Sequence, residues 1–104
     1  AAAQLAQKYQ CNVVMKGPGT IVAFPEREPV LVPTGNAGLA VGGSGDVLTG
    51  VIASFVAQGV PFDEACILGP YIHGKAADSA AGRLGQRGLL PSDVIDQLQF
   101  EVNP

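Results

Sequence analysis

Thr34-Gly35-Asn36-Ala37-Gly38-Leu39-Ala40-Val41-Gly42-Gly43-Ser44-Gly45-Asp46-Val47-Leu48-Thr49-Gly50 is a glycine-rich loop that runs directly into an apolar helical pattern. Small residues from Gly42 to Gly45 allow positive φ values and leave no bulky side chain between the peptide N–H groups and an anion. Beyond them Val47, Leu48, Val51, Ile52, Phe55 and Val56 form two columns at i, i+4, i+8, as expected for the buried face of a helix. The positive end of that helix dipole points back at the glycines. The stretch therefore reads as a phosphate-binding turn at a helix N-terminus, with a carboxylate, Asp46, at its exit.

Asp46 has two readings. An aspartate here can cap the helix or complement its dipole. It can also be a base that takes a hydroxyl proton while the amides of Gly42, Gly43, Ser44 and Gly45 hold a transferring phosphoryl group. A cap needs only one helical turn, whereas Gly-Gly-Ser-Gly clears side chains from where phosphoryl oxygens would lie, and this favours the base. Other phosphate motifs fail. Gly74-Lys75 is followed by Ala76 and lacks the upstream glycine of a P-loop, and Gly43-Ser44-Gly45 is followed by Asp46-Val47-Leu48, which breaks the dinucleotide fingerprint.

Upstream, Ala1 to Tyr9 reads as an uncapped helix, and Asn12 to Lys16 as a buried parallel strand of apolar strand formers. Gly17-Pro18-Gly19 breaks that strand. Thr20 to Phe24 and Pro29 to Pro33 follow as a hairpin around the charged turn Pro25-Glu26-Arg27-Glu28. By residue type alone, Lys16-Gly17-Pro18-Gly19-Thr20 is a strand-to-strand turn with a solvated lysine. Downstream, a helix opens at Pro61 and runs to about Leu84, with Pro70 expected to bend or split it. His73, among Ala76, Ala77, Ala80 and Ala81, reads as a packing residue because the sequence shows no adjacent base or metal partner. A last helix begins near Pro91 with Asp93 at its positive end and Val94, Ile95 and Leu98 as its apolar face.

With 104 residues, 47% hydrophobic and 14% charged, the chain has the makeup of one globular domain or part of one. A net charge of −3 and scattered Lys and Arg argue against nucleic acid as a partner. No apolar run reaches membrane-spanning length, so no membrane partner is expected and a cytoplasmic location is the default. Cys11 and Cys66 lack metal or redox spacing and read as buried reduced thiols.

Three motifs in order carry a resemblance: Met15-Lys16-Gly17-Pro18-Gly19-Thr20, the glycine-rich run above, and Tyr71-Ile72-His73-Gly74-Lys75-Ala76-Ala77-Asp78, with Gly88 to Val94 as a closing segment. Together they closely resemble the ADP/ATP-dependent NAD(P)H-hydrate dehydratases of the ribokinase-like superfamily. The resemblance implies an α/β fold, the C-terminal part of a three-layer αβα domain with a mainly parallel sheet, residues 1–104 being one incomplete domain whose N-terminal part is absent. It implies ADP- or ATP-dependent dehydration of (S)-NADHX or (S)-NADPHX to NADH or NADPH. Asp46 would be the catalytic base; Asp46 and Asn36 would meet the hydrate, and Gly42, Gly43, Ser44 and Gly45 would form the anion hole. Lys16, Gly17, Pro18, Gly19, Thr20 and Gly45 would bind the adenine nucleotide. Mg²⁺ would accompany the nucleotide, with no residue of this chain assigned to the metal. A sugar or vitamin-precursor kinase with the same loop, a non-catalytic nucleotide-binding fragment, a fused epimerase domain and a homo-oligomer remain open.

Overall fold

Three short apolar runs find each other first. In the computed structural model, which describes residues 1–17 and 19–102, they form a sheet of order β1 (Val13–Met15), β2 (Thr20–Ala23), β3 (Val30–Val32). Both pairings are antiparallel, with Val14 opposite Val22 and Ile21 opposite Leu31. The expected parallel strand at Asn12–Lys16 therefore meets only an antiparallel neighbour among the described residues. The reason is connection length: a few residues separate β1 from β2, and a parallel return needs a crossover of a dozen or more.

Alternation along the strands gives the sheet two apolar faces. Val14, Val22, Val30 and Val32 point one way and meet Phe24, Cys66, Ile67 and Ile52. Val13, Met15 and Ala23 point the other way, onto Ala2 and Ala6 of α1 (Ala2–Tyr9). The sheet thus lies between α1 and the long helix α3 (Phe62–Leu84), with α2 (Ser44–Ala57) beside α3. This is the three-layer α/β arrangement in small. Helix α1 starts with no side-chain cap and ends on Gln10 in the left-handed region, φ 52°. That turn leaves Cys11 exposed, contrary to its reading as buried; Cys66 is buried, and both thiols are free.

Helix α3 is one continuous helix that runs through Pro70, so of the two outcomes expected there, a bend or a split, the split does not occur. Proline removes one donor without ending the helix. Gly69 passes so close to Ile52 of α2 that a methyl group there would overlap its side chain. Farther along, Ala76, Ala77 and Ala80 form a small-residue face that admits Leu89, Val94 and the half-buried Leu98 of α4 (Pro91–Val102). Ile95, expected on that face, is 52% exposed. Asp93 accepts a bond from Leu90 N–H at 2.9 Å and so anchors the α4 N-terminus.

Candidate active site

The glycine turn is set by one residue with an unusual backbone. Gly43 is the N-cap of α2, with φ 93°, and it is the only one of Gly42, Gly43 and Gly45 in the left-handed region. Ser44 and Gly45 already belong to the first helical turn, so the positive φ that the run allows is taken at Gly43 alone. The Ser44 amide donates to Val41 C=O at 3.4 Å, whereas the amides of Gly45 and Asp46 meet no acceptor among the described residues. A cap without a side chain leaves them free for an outside anion. Ser44 is itself buried, whereas Gly42 and Gly43 are exposed. Pro91 of α4 lies 3.4 Å from where a Gly43 Cβ would stand and closes the turn from one side.

Asp46 is the third residue of α2 and is exposed. The α2 N-terminus has no side-chain cap, and the Asp46 carboxylate has no hydrogen bond or ion pair among the described residues. It does not act as a cap. Its charge complements the helix dipole and otherwise faces solvent beside the two free amides.

Lys16 leaves the end of β1 and reaches this turn. Its Nζ lies 2.6 Å from the position a Gly45 Cβ would occupy. A lysine ammonium, two unpaired amides and a carboxylate are thereby gathered at one helix end, joining two segments that are separate in sequence. Gly17 and Gly19 are exposed in the turn after β1, Gly19 with φ 81°, and Thr20 is half-buried opposite Val32. Pro18 lies outside the described residues.

Asn36 has a different setting. Its Oδ1 accepts from Gly38 N–H at 2.9 Å, and its Nδ2 donates to Asp78 at 2.9 Å. The first bond caps a short 3-10 turn, Ala37–Leu39, so both ends of the amide are engaged within the protein. Gly35 N–H donates to the other Asp78 oxygen at 3.0 Å, and Thr34 Oγ1 donates to the Tyr71 carbonyl at 2.8 Å. Tyr71, Gly74 and Asp78 are spaced i, i+3, i+7 and form the stripe of α3 on which this loop is mounted. The sequence did not mark Asp78 as a site residue; that helical spacing within the third motif was the available signal.

His73, on the same helix, is 4% exposed, and its Nε2 has no hydrogen-bond partner among the described residues. Burial, and secondarily the positive charge of Lys16, push its pKa below the ordinary histidine value. It is thus held neutral near the lysine that serves the turn.

No group of three or more His, Cys, Asp or Glu side chains among the described residues could hold a metal. One free carboxylate beside a phosphate turn suits Mg²⁺ carried by a nucleotide, which needs one or two protein carboxylates, water and phosphate oxygens.

Known proteins resemble this chain over nearly all of it. The chain is 43% identical over 99 residues to the bifunctional NAD(P)H-hydrate repair enzyme of Moorella thermoacetica, covering 95% of this chain and 19% of that protein. It is 44% identical over 104 residues to the ADP-dependent (S)-NAD(P)H-hydrate dehydratase of Neisseria meningitidis, covering 99% of this chain and 35% of that protein. The structure superposes on the ADP/ATP-dependent NAD(P)H-hydrate dehydratase of Bacillus subtilis, co-crystallised with ATP/Mg²⁺, with a TM-score of 0.91 at 34% identity, over 96% of this chain and 36% of that one. The chain thus spans between about a fifth and a third of the length of these relatives, and its fold is the α/β, ribokinase-like one. The Carb_kinase family model, described as NAD(P)H-hydrate dehydratase, matches residues 1–100, and the chain belongs to that family.

Proposed function

We propose that the protein carrying this chain uses ADP or ATP to dehydrate (S)-NADHX or (S)-NADPHX to NADH or NADPH. The observation that carries the reading is the unpartnered Asp46 carboxylate beside the free Gly45 and Asp46 amides, with Lys16 reaching across Gly45. The relatives' own dependence on ADP and on ATP supports it.

In this reading Asp46 accepts the proton of the hydrate's ring hydroxyl as that oxygen forms a bond to the terminal phosphorus of the nucleotide. The bond from phosphorus to the nucleotide's bridging oxygen breaks at the same time. Charge on the equatorial oxygens is met by the amides of the α2 N-terminus and by the Lys16 ammonium. Phosphate then leaves with the ring C–O bond, the neighbouring ring carbon gives up a proton, and the nicotinamide double bond re-forms. Mg²⁺ would be held by the nucleotide's phosphates and water and would supply charge neutralisation there, leaving the Asp46 carboxylate as the base. Gly17, Gly19 and Thr20 lie along the nucleotide side, next to Lys16. Gly42 and Gly43 leave the approach to the amides open.

We place the remaining contacts to the hydrate in segments outside these residues, since the chain spans only part of its relatives. The same reading makes residues 1–104 the C-terminal part of one domain and the protein cytoplasmic. No helix among the described residues is long and apolar enough to cross a membrane. The test is an assay of the full-length protein with purified hydrate and either nucleotide. Return of reduced nicotinamide absorbance, with one phosphate released per hydrate consumed, is the expected result. Accumulation of a stable phosphorylated product would identify a small-molecule kinase instead, and nucleotide binding without turnover a binding module.

A further inference from the structure

We propose that Asp78 is a positioning residue for the glycine turn, acting through Asn36. The proposal rests on the functional reading above for its kinetic consequence, but the geometry stands apart from it. The Asp78 carboxylate accepts Gly35 N–H at 3.0 Å on one oxygen and Asn36 Nδ2 at 2.9 Å on the other. The far side of the same Asn36 amide accepts Gly38 N–H at 2.9 Å. Two backbone amides are thereby linked through two side chains to a single point on α3. No Lys or Arg pairs with Asp78 among the described residues, so both of its oxygens are free to bond the loop donors.

The anchoring continues on both sides. Thr34 Oγ1 bonds the Tyr71 carbonyl at 2.8 Å, and a Cβ on Gly74 would lie 2.7 Å from Thr34 C and 2.8 Å from Gly35 N. Gly38 has equally little room, with Leu89 Cδ2 at 2.8 Å and Gln86 C=O at 2.9 Å from its would-be Cβ. The chain leaves this clamp through the 3-10 turn at Ala37–Leu39 and reaches Gly43 four residues later. A rotation of the Asn36–Asp78 pair therefore changes where the α2 amides and Asp46 stand relative to Lys16. Displacements of about 1 Å at a reacting centre cost on the order of 10²-fold in rate.

The donor and acceptor pattern permits a specific test on the full-length protein. Asp78→Asn keeps the shape but offers one acceptor where two donors converge. Adding Asn36→Asp to it restores all three bonds with the central one reversed in polarity. The amide introduced at position 78 donates its NH₂ to the carboxylate introduced at position 36 and accepts Gly35 N–H on its carbonyl oxygen. The other oxygen of the position-36 carboxylate accepts Gly38 N–H. The single variants Asp78→Asn and Asn36→Asp are expected to lower kcat by about 10- to 100-fold. KM for nucleotide should move less, and the swap should recover activity to within a few-fold. Amide exchange at Gly35 and Gly38 should quicken in each single variant and slow again in the swap. Single variants with unchanged kcat and exchange, or a swap no better than its parents, overturn the proposal. A loss of melting temperature with kcat of the folded enzyme intact also overturns it, since that is what a merely structural role gives. Should a single variant not fold, recovery of folding and turnover together in the swap supports the clamp, and lack of recovery refutes it. If the unsubstituted protein proves unable to dehydrate the hydrate, the functional reading has failed on its own account. The exchange rates and adenine nucleotide affinity of the same variants then decide the clamp.

Discussion

Asp46 and Gly45 are neighbours whose substitutions should have opposite signatures. Asp46→Asn keeps the size and leaves the helix start intact, because the carboxylate caps nothing. It removes a base that is typically worth about 10²–10⁴ in rate, so turnover should collapse while adenine nucleotide affinity stays within a few-fold. Near-normal turnover in the full-length variant would reduce Asp46 to a dipole partner. Gly45 sits in helical backbone, and its new Cβ in Gly45→Ala would meet only the Lys16 ammonium, the movable end of a flexible side chain. Stability should hold or rise slightly, since alanine suits a helix better than glycine. Nucleotide affinity, read by calorimetry, should fall roughly tenfold as one charge-assisted phosphate contact is displaced; an unchanged affinity would place the phosphate elsewhere. His73 adds a pH signature. Above about pH 6.5 the imidazole is neutral in folded and unfolded chains alike and contributes no slope. Below that the unfolded chain takes up the proton first, because burial and Lys16 hold the folded pKa down, so stability drops as pH falls. His73→Leu should flatten the dependence of melting temperature on pH below about 6.5 relative to the parent, and identical slopes would contradict the neutral buried imidazole. Much of the turn was legible in its residues, since Gly-Gly-Ser-Gly-Asp shows both a side-chain-free helix start and a carboxylate beside it. The sequence concealed that Gly43 alone takes positive φ, because a glycine cap does not show where the helix begins.

At the level of elements, the sequence showed each strand and helix more clearly than their relations. Apolar runs of strand formers marked β1, β2 and β3, and the columns from Val47 to Val56 marked α2, because both periods are written locally. Pro70 does not split α3, because proline's cost is local, whereas the packing of Gly69 on Ile52 and of the alanines on α4 is not. Ile95 did mislead: a three-residue face left open which side α4 would present. The Asp78–Asn36 bond joins residues 42 positions apart, and the spacing of the third motif marks the stripe of α3 without naming the partner. What decides the loop's height over α3 is Gly74, which the third motif contained without explaining. Gly74→Ala would press a methyl group against the Thr34 hydroxyl and into the Thr34–Gly35 peptide, and the peptide backbone cannot swing aside. Overpacking of this kind costs about 1–3 kcal/mol. The expected outcome is a melting temperature lower by several degrees together with faster amide exchange at Gly35 and Gly38. Wild-type stability for this variant would mean that the loop rides higher on α3 than the Gly74 contacts place it.

For the whole molecule, the accessible surface is larger than that of a compact domain of this size. The chain exposes 6130 Å² at 10.6 kDa, against about 5,500 Å² for a compact monomer of that mass. Its dimensions of 40 × 28 × 20 Å are correspondingly elongated. The outer face of α2 shows why. Ile52, Ala53, Val56 and Ala57 with Phe62 line an open groove of about 450 Å³, and Phe62 is 59% exposed. On the far side Leu31 is 64% exposed in the edge strand β3, where α1 does not extend over the sheet. At about 25 cal/mol per Å², a few hundred Å² of such surface represents several kcal/mol of burial that another body could recover, comparable to the stability of a small domain. The 104 residues produced by themselves should therefore associate at micromolar concentration, melt broadly and show no dehydration of the hydrate. Phe62→Glu should shift the same preparation toward monomer in sedimentation velocity, because a carboxylate in the groove must be desolvated for any partner to seat. Adding the remaining portion of the full-length protein in trans should raise both melting temperature and activity if it covers these faces. A 10.6 kDa monomer that melts cooperatively and turns over the hydrate unaided would mean that α2 and β3 tolerate water without cost. The glycine turn would then owe nothing to neighbours beyond Lys16, Asn36 and Asp78.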